Sequence, residues 1–202
     1  MTNNILINYV KATPMMRLEP LVETNIRTSY KLMLEHFKDQ KEIVAAEVGV
    51  YEGINAKYMI LFCEKLKLHL VDAWDNLVVY TGGPVQDKYY CGIIRAIANI
   101  NLASYQDKIS YTNKNSIDAV KDYPDEFFDY VYIDGDHEHE SALKDMRLWF
   151  PKVKKGGILG GHDVGMKEVS SALDIFLTEV PSEKNGRDPE NNEGRSDFWI
   201  FK

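Results

Sequence analysis

The residues best suited to chemistry follow an apolar run past the middle of the chain. The segment "DEFFDYVYI" has the character of a buried strand, and "DGDHEHE" comes directly after it. Carboxylate and imidazole groups at a strand end can serve as acids, bases or metal ligands. The alternative is a solvated helix start, in which Asp136 and Glu138 stabilise the positive end of the helix dipole.

A glycine-containing loop follows the first predicted strand, in "AEVGVYEG". A dinucleotide-binding loop has glycine where this chain has Tyr51, and a bulky residue there obstructs the approach of a pyrophosphate. The Gly-Lys-Ser/Thr of a phosphate-binding loop is also missing. The spacing suits a phosphate-free nucleoside ligand, because Glu47 repels phosphate and favours a cationic amino group. S-adenosylmethionine, with an ammonium, a sulfonium and no phosphate, fits this description.

We therefore predict cofactor contacts from this loop, and an ordinary tight strand-to-helix turn is the alternative. The predicted residues are Glu47, Gly49, Val50, Tyr51 and Gly53. Asp72 ends the second strand, roughly 20 residues past the glycines, where a carboxylate accepts hydrogen bonds from ribose hydroxyls. Asn115 and Ser116 follow the third strand and suit the adenine edge, although capping of the next helix explains them equally well.

Composition and charge exclude several classes of protein. The 202 residues carry a formal net charge of -7 without a Lys/Arg run, whereas nucleic-acid binding needs clustered cations. The start lacks a signal-peptide pattern, and no apolar stretch approaches the roughly 20 residues of a membrane span. Cys63 and Cys91 form neither a metal nor a disulfide pattern. We expect a cytoplasmic protein that binds neither nucleic acid nor membrane, and homo-oligomer formation stays open.

Strand patterns alternate with helix patterns along the chain. This alternation predicts an α/β fold, a mostly parallel sheet with helices on both faces, in which ligands bind beyond the carboxyl ends of the strands. The predicted strand ends, which are rich in Gly, Asx or charge, are "EVGVYEG", "VDAWD", "TNKNS", "IDGDH" and "GHDV". We predict a single domain over residues 1–202, with a helical N-terminal extension over 1–40 and a surface loop over the polar segment 181–196.

Five motifs resemble those of a known family. "AEVGVYEG", "LVDAWD", "NKNS", "YIDGDHEHE" and "KKGGILGGHDV" together are similar to class I S-adenosylmethionine-dependent methyltransferases. The pair "DGDH" and "HD" resembles the branch of macrocin-type sugar O-methyltransferases. The resemblance runs from about Ile43 to the C-terminus and implies a Rossmann-like sheet with an antiparallel C-terminal strand. It also implies methyl transfer to a small-molecule hydroxyl, with a sugar or glycosylated metabolite as the leading acceptor class.

The resemblance further implies a metal site and a general base. In related metal-dependent O-methyltransferases, the first Asp after strand four and two residues after strand five bind a divalent cation. A Lys three positions after that Asp is the base. The matching positions here are Asp134, His162, Asp163 and, in place of Lys, His137. Carboxylates favour Mg²⁺ or Mn²⁺, whereas an imidazole shifts the preference toward Mn²⁺, Fe²⁺ or Zn²⁺. His162 as a neutral pocket residue is the alternative.

The residue types suit methyl transfer to an aliphatic hydroxyl. The reaction chiefly requires alignment of nucleophile, methyl and sulfur, with Asp134 expected at both the cofactor and the acceptor. Such a hydroxyl is a poor nucleophile at neutral pH, and a positioned base contributes roughly 10²–10⁴-fold. His137, with an ordinary pKa near ~6.5, suits that role.

Other functions on the same scaffold stay open at this point. They are a nicotinamide-dependent oxidoreductase, an iron-dependent hydroxylase and a non-catalytic S-adenosylmethionine-binding domain. Tyr51 argues against the first, and the pairing of His137 with "HDV" argues against the last, because a pure binder needs neither. The loop "VVYTGGPVQDKYY" is either a lid over the acceptor or a packed surface loop.

Overall fold

The computed structural model describes residues 26–74, 88–180, 182, 184–189 and 196–202. The helices are α1 (Thr28–His36), α2 (Ile54–Phe62), α3 (Lys88–Asn101), α4 (Ser116–Ala119), α5 (His139–Trp149) and α6 (Lys167–Glu179). The strands are β1 (Ile43–Val48), β2 (Leu66–Val71), β3 (Ile109–Thr112), β4 (Phe128–Ile133), β5 (Val153–Gly161), β6 (Asn185–Arg187) and β7 (Phe198–Phe201).

All seven strands form one sheet in the order β3-β2-β1-β4-β5-β7-β6. The first five strands in the chain pair in parallel, and β7 pairs antiparallel with both β5 and β6. The direction of strand succession reverses between β1 and β4, which is where open sheets of this kind bind ligands. The predicted Rossmann-like fold with an antiparallel C-terminal strand is confirmed.

Helices cover both faces of the sheet, because successive side chains of each strand point to opposite sides. On one face, Met33 of α1 and Met59 of α2 pack against β-strand residues such as Leu68. On the other face, Trp149 of α5 and Phe176 of α6 pack against the alternate strand residues. Both faces are buried, which explains why the central strands read as continuous apolar runs rather than as alternating patterns.

The polar segment 181–196 contains a short strand that its sequence does not indicate, so the surface-loop prediction is wrong for residues 185–187. β6 pairs through its backbone with β7, and Asn185 lies opposite Ile200. A Cβ atom at Gly186 would lie 2.5 Å from the Trp199 indole, so this close packing requires glycine. Backbone pairing therefore forms β6 without any apolar alternation.

A buried carboxylate near the C-terminus joins α1 to the sheet. Oδ2 of Asp197 accepts hydrogen bonds from the backbone N–H of Ser29 at 3.0 Å and from its hydroxyl at 2.7 Å. Oδ1 accepts a hydrogen bond from the Tyr132 hydroxyl at 3.0 Å. Helix N-termini leave backbone N–H groups without helical partners, and α1 has no cap from its own N-cap side chain. Asp197 therefore caps α1 from a distant part of the chain.

Several predictions fall on residues without a described structure. Within the predicted N-terminal extension, the description begins at Ile26, and the helix α1 begins at Thr28. The predicted lid over residues 78–90 also lies outside the described residues, except that 88–90 begin α3. None of the described helices is both long enough and apolar enough to cross a membrane.

Candidate active site

The carboxyl ends of the central strands meet at one edge of the sheet. Backbone hydrogen bonds extend one residue beyond the strands and join Gly49 to Val71 (2.9 Å), Asp134 to Val48 (2.7 Å) and His162 to Ile133 (3.0 Å). A cleft of about 1190 Å³ lies along this edge. The predicted cofactor residues line the cleft, except for Gly53.

The glycine loop brings β1 against the end of β4. Gly49 has a φ of 89°, and a Cβ atom there would lie 2.1 Å from the carbonyl oxygen of Asp134. Only glycine tolerates this combination of backbone conformation and close approach. Gly53, also at positive φ, allows the start of α2 to pack on Leu102, so it acts through the turn rather than by lining the cleft. Tyr51 is 47% exposed at the cleft.

Glu47 is a buried acid with one unpartnered oxygen. Its side chain is 1% exposed, and Oε1 accepts a hydrogen bond from the Asn55 amide at 2.8 Å. Oε2 has no hydrogen-bond partner among the described residues. Burial raises the pKa of Glu47 to about 8, and the nearby carboxylates of Asp134 and Asp72 act in the same direction. An unpartnered buried acceptor beside a cleft suits a cationic donor, which fits the ammonium of S-adenosylmethionine.

Asp72 holds the glycine loop against the end of β2. Oδ2 accepts hydrogen bonds from the backbone N–H groups of Val50 at 2.8 Å and Tyr51 at 2.9 Å. Oδ1 accepts one from the backbone of Trp74 at 3.0 Å. A carboxylate has about four acceptor positions, so one remains available on Oδ1. The ribose contact stays a prediction.

Asn115 and Ser116 line the cleft beyond β3. The alternative interpretation of Asn115 as a helix cap is confirmed, because its Oδ1 caps α4 by accepting a hydrogen bond from the backbone N–H of Asp118 at 2.9 Å. Contact with the adenine edge stays a prediction for both residues.

Asp145 and Arg27 are among the cleft residues that the sequence interpretation did not assign. Asp145 of α5 is buried beside Ser116, and burial raises its pKa to about 6 against the opposing effect of the Ser116 hydrogen bond. The sequence pattern that could have identified Asp145 is an acid between the core positions Leu143 and Met146 of an amphipathic helix. Arg27 also lines the cleft, and no pattern in the sequence marks it.

The predicted metal ligands Asp134, His162 and Asp163 come together. One ligand atom from each lies within 4.8 Å of the others. Nδ1 of His162 is 2.9 Å from Oδ1 of Asp163 and 3.8 Å from Oδ1 of Asp134, while its buried Nε2 has no hydrogen-bond partner in the described part of the chain. Asp163 has a φ of 61°, a strained conformation for a residue other than glycine. Two carboxylates and an imidazole fit a divalent transition ion or Mg²⁺.

His137 lies against the same cluster and lines the cleft. Its Nε2 is 2.8 Å from Oδ2 of Asp163, so the imidazole and the carboxylate form a close pair. The carboxylate of Asp163 raises the pKa of His137. Burial alone would raise the pKa of Asp163, but the two histidines lower it well below its usual range. Burial raises the pKa of Asp134.

The solvated-helix alternative applies to Asp136, whose Oδ1 accepts a hydrogen bond from the backbone N–H of Glu138 at 3.2 Å.

Comparisons with known proteins bear on the family and the fold. A family model described as a methyltransferase domain matches residues 46–164, more than half of the chain. An O-methyltransferase from Bacillus cereus, solved with SAH, has a TM-score of 0.61 at 13% identity and covers 100% of this chain and 90% of its own. For cofactor-bound Rv0187 from MTB the TM-score is 0.63 at 14% identity, and the match covers 98% of this chain and 88% of that one. For the precorrin-6y C5,15-methyltransferase of Geobacter metallireducens the TM-score is 0.56 at 13% identity, and the match covers 86% of this chain and 87% of that one. No curated protein sequence matches the chain.

The buried state of Glu47 predicts a specific dependence of stability on pH. In the folded protein Glu47 stays protonated up to about pH 8, whereas its ordinary pKa is 4.5. The unfolded chain therefore releases this proton first, and the free energy of unfolding falls as the pH rises from 4.5 to 8. Glu47→Gln should raise the free energy of unfolding at pH 8 by about 4 kcal/mol relative to wild type, because folding raises the pKa of Glu47 from 4.5 to about 8, and it should make little difference near pH 4.5.

Urea unfolding at both pH values measures this effect. Glu42→Gln, at an exposed position just before β1, is the matched control and should show no pH-dependent difference. Equal unfolding free energies for wild type and Glu47→Gln at pH 8 would show that Glu47 ionises freely in the folded protein.

Proposed function

The chain belongs to the methyltransferase-domain family and is an S-adenosylmethionine-dependent methyltransferase, and on that premise we propose that it methylates a hydroxyl group of a small molecule. A sugar or glycosylated metabolite is the leading acceptor class. The observation that carries the proposal is His137 beside Asp163 and Asp134 at the cleft, because aliphatic hydroxyls need a base or a metal to become nucleophilic. The structural similarity to the Bacillus cereus O-methyltransferase supports oxygen as the acceptor atom.

The cofactor residues of this chain divide the binding of S-adenosylmethionine among them. When bound, the cofactor supplies a methyl group activated by a sulfonium. Glu47 takes the ammonium through its unpartnered Oε2, and Asp72 offers the remaining acceptor position of Oδ1 to a ribose hydroxyl. Asn115 and Ser116 line the cleft and would contact the adenine edge, and Gly49 leaves space where any side chain would intrude.

His137 acts as the base for the acceptor hydroxyl. Its Nε2 faces Asp163, which leaves Nδ1 as the nitrogen that receives the proton. The carboxylate of Asp163 stabilises the positive charge that the imidazole acquires, as the acid does in other base–acid pairs. A base held in this way also orients the hydroxyl along the line of attack.

Asp134, His162 and Asp163 are the residues that would hold a divalent cation. Such an ion lowers the pKa of a bound hydroxyl and orients it. Their mixed oxygen and nitrogen donors support Mn²⁺ alongside Mg²⁺.

The charge of the cleft supports a neutral acceptor. Acidic side chains line its outer part beyond β4 and β5, namely Asp136, Glu138, Glu140 and Glu168. This concentration of negative charge disfavours acceptors that carry phosphate or carboxylate groups. Uncharged sugars have hydroxyls to offer and no charge to repel.

Transfer of a labelled methyl group from S-adenosylmethionine tests the proposal. We expect alkali-stable label in neutral glycosides, as formed by an ether, and none in their phosphorylated forms. Label that appears only in amine, thiol or carbon acceptors would replace hydroxyl methylation with another acceptor chemistry.

Substitution of the base should separate catalysis from cofactor binding. His137→Ala should lower kcat roughly 10²–10⁴-fold and leave the Kd for S-adenosylhomocysteine nearly unchanged, because the ring acts on the acceptor. His139→Ala is the control, since Nδ1 of His139 contacts the Ser171 hydroxyl at 2.7 Å on the α5–α6 side. A His137→Ala enzyme with wild-type kcat would remove this residue from the chemistry.

Metal removal should reveal the role of the Asp134, His162 and Asp163 cluster. Chelator-treated protein should bind Mn²⁺ in calorimetry and regain activity with Mn²⁺ or Mg²⁺, whereas Asp163→Asn should lose most of the Mn²⁺ heat. Asp174→Asn, at an exposed position on α6, should bind Mn²⁺ like wild type. Full activity after chelation, together with no Mn²⁺ heat, would leave His137 as the sole activating group.

A further inference from the structure

Asn55 lines the cleft at the start of α2, and the proposed function gives it no role so far. Ala45, two residues before Glu47 in β1, belongs to the core on the side of the sheet that α1 and α2 cover. Because side chains two positions apart in a strand lie on the same face, the Glu47 carboxyl lies on that side too. It meets the first turn of α2, where its Oε1 accepts a hydrogen bond from the Asn55 amide at 2.8 Å.

The contacts of the Asn55 amide determine which way it points. Its Nδ2 lies 2.8 Å from Oε1 of Glu47 and 3.6 Å from the thioether sulfur of Met59. A thioether sulfur has no hydrogen to donate, and neither does an ionised carboxylate, so both contacts require the amide nitrogen rather than the amide oxygen. Asn55 is therefore a hydrogen-bond donor to Glu47.

The backbone that carries Asn55 is fixed by contacts with two other helices. Gly53, directly before α2, has a φ of 71°, and a Cβ atom there would lie 2.9 Å from the side chain of Leu102, which follows α3. Met59 is buried, and its carbonyl accepts a hydrogen bond from the Tyr30 hydroxyl of α1. The first turn of α2 thus presents the Asn55 amide from a defined position.

The Asn55 contact occupies one carboxyl oxygen of Glu47 and leaves the other for a ligand. Oε2 is buried and has no hydrogen-bond partner among the described residues. Burial raises the pKa of Glu47, the Asn55 hydrogen bond lowers it, Asp134 and Asp72 raise it, and Arg27 lowers it. The Asn55 amide therefore stabilises the negative charge that a cationic ligand requires, against burial and against two neighbouring acids.

We propose that Asn55 is a positioning residue that holds the Glu47 carboxylate with Oε2 toward the ammonium of S-adenosylmethionine. This inference rests on the proposed function. Asn55 acts through Glu47 and does not bind the cofactor itself. A carboxylate that rotates freely loses side-chain entropy when it binds an ammonium, whereas one already held by an amide does not. A hydrogen bond to an ionised group is also stronger than one between neutral groups.

Calorimetry with two ligands tests this role. One is S-adenosylhomocysteine, and the other is its deaminated form, which keeps the carboxylate and lacks the ammonium. Wild type should bind the first roughly 10- to 100-fold more tightly than the second. Asn55→Leu keeps a similar shape without the donor and should reduce this affinity ratio roughly tenfold. Its affinity for the deaminated ligand should match that of wild type, which also shows that the variant is folded.

Two further variants separate the amide contact from a general effect on the loop. Asn55→Gln keeps an amide donor on a longer side chain and should recover part of the affinity ratio, and it also serves if Asn55→Leu does not fold. Asn101→Leu is the matched control, because Nδ2 of Asn101 donates to the carbonyl of Glu52 at 2.9 Å. That change removes a donor to the loop backbone rather than to the Glu47 carboxyl, so the affinity ratio should stay at the wild-type value.

A double-mutant cycle tests whether Asn55 acts through Glu47. Glu47→Gln should lower the affinity ratio, because a neutral amide replaces the anion. Addition of Asn55→Leu to Glu47→Gln should leave the ratio where Glu47→Gln alone puts it, because the carboxylate on which Asn55 acts is already absent.

Each contrary outcome has a distinct meaning. If Asn55→Leu keeps the wild-type affinity ratio, Asn55 does not position Glu47. If it weakens both ligands equally, the amide contacts another part of the cofactor or supports the fold, and the inference is overturned. A further fall of the ratio when Asn55→Leu is added to Glu47→Gln would show that Asn55 binds the ammonium directly, which also overturns it. Failure of wild type to bind S-adenosylhomocysteine at all would overturn the proposed function itself.

Discussion

The contact between Gly49 and the end of β4 is the constraint on which the site depends. Without a side chain at Gly49, the loop after β1 reaches the carbonyl of Asp134, and the backbone bonds beyond the strands can form. Those bonds hold the ends of β2, β1, β4 and β5 at one level. The cofactor groups at the ends of β1 and β2 thereby line one cleft with Asp134 and His137, which follow β4.

The electrostatics of the cleft follow from burial next to this contact. Glu47 and Asp134 lie deep enough for desolvation to raise their pKa values, whereas the two histidines keep Asp163 ionised. A ligand with a positive ammonium and a positive sulfonium relieves this crowding of carboxyl groups, and a phosphate-bearing nucleotide would aggravate it. The charge distribution thus matches the class of cofactor that the family uses.

Buried carboxylates fix α1 and the glycine loop to the sheet and so hold the cleft residues in position. Asp197 ties α1 to β4, and Arg27 lies at the end of that tie. Asp72 ties the glycine loop to β2 in a comparable way. In both cases a carboxylate takes up backbone N–H groups and so positions the residues that line the cleft. Buried acids in this protein are therefore as much structural as functional.

The sequence by itself determined the fold class and the strand ends that carry chemistry. Apolar runs alternating with helix periods specify a parallel sheet, and such a sheet places its carboxyl ends together, so Asp134, His162 and Asp163 were predictable as neighbours. Only the tertiary structure decided the partners of individual atoms. β6, the cap that Asp197 provides for Ser29, and the place of Arg27 depend on pairings between distant parts of the chain, which leave no local pattern. Local periodicity reports which side of an element is buried, but not which polar group it meets there.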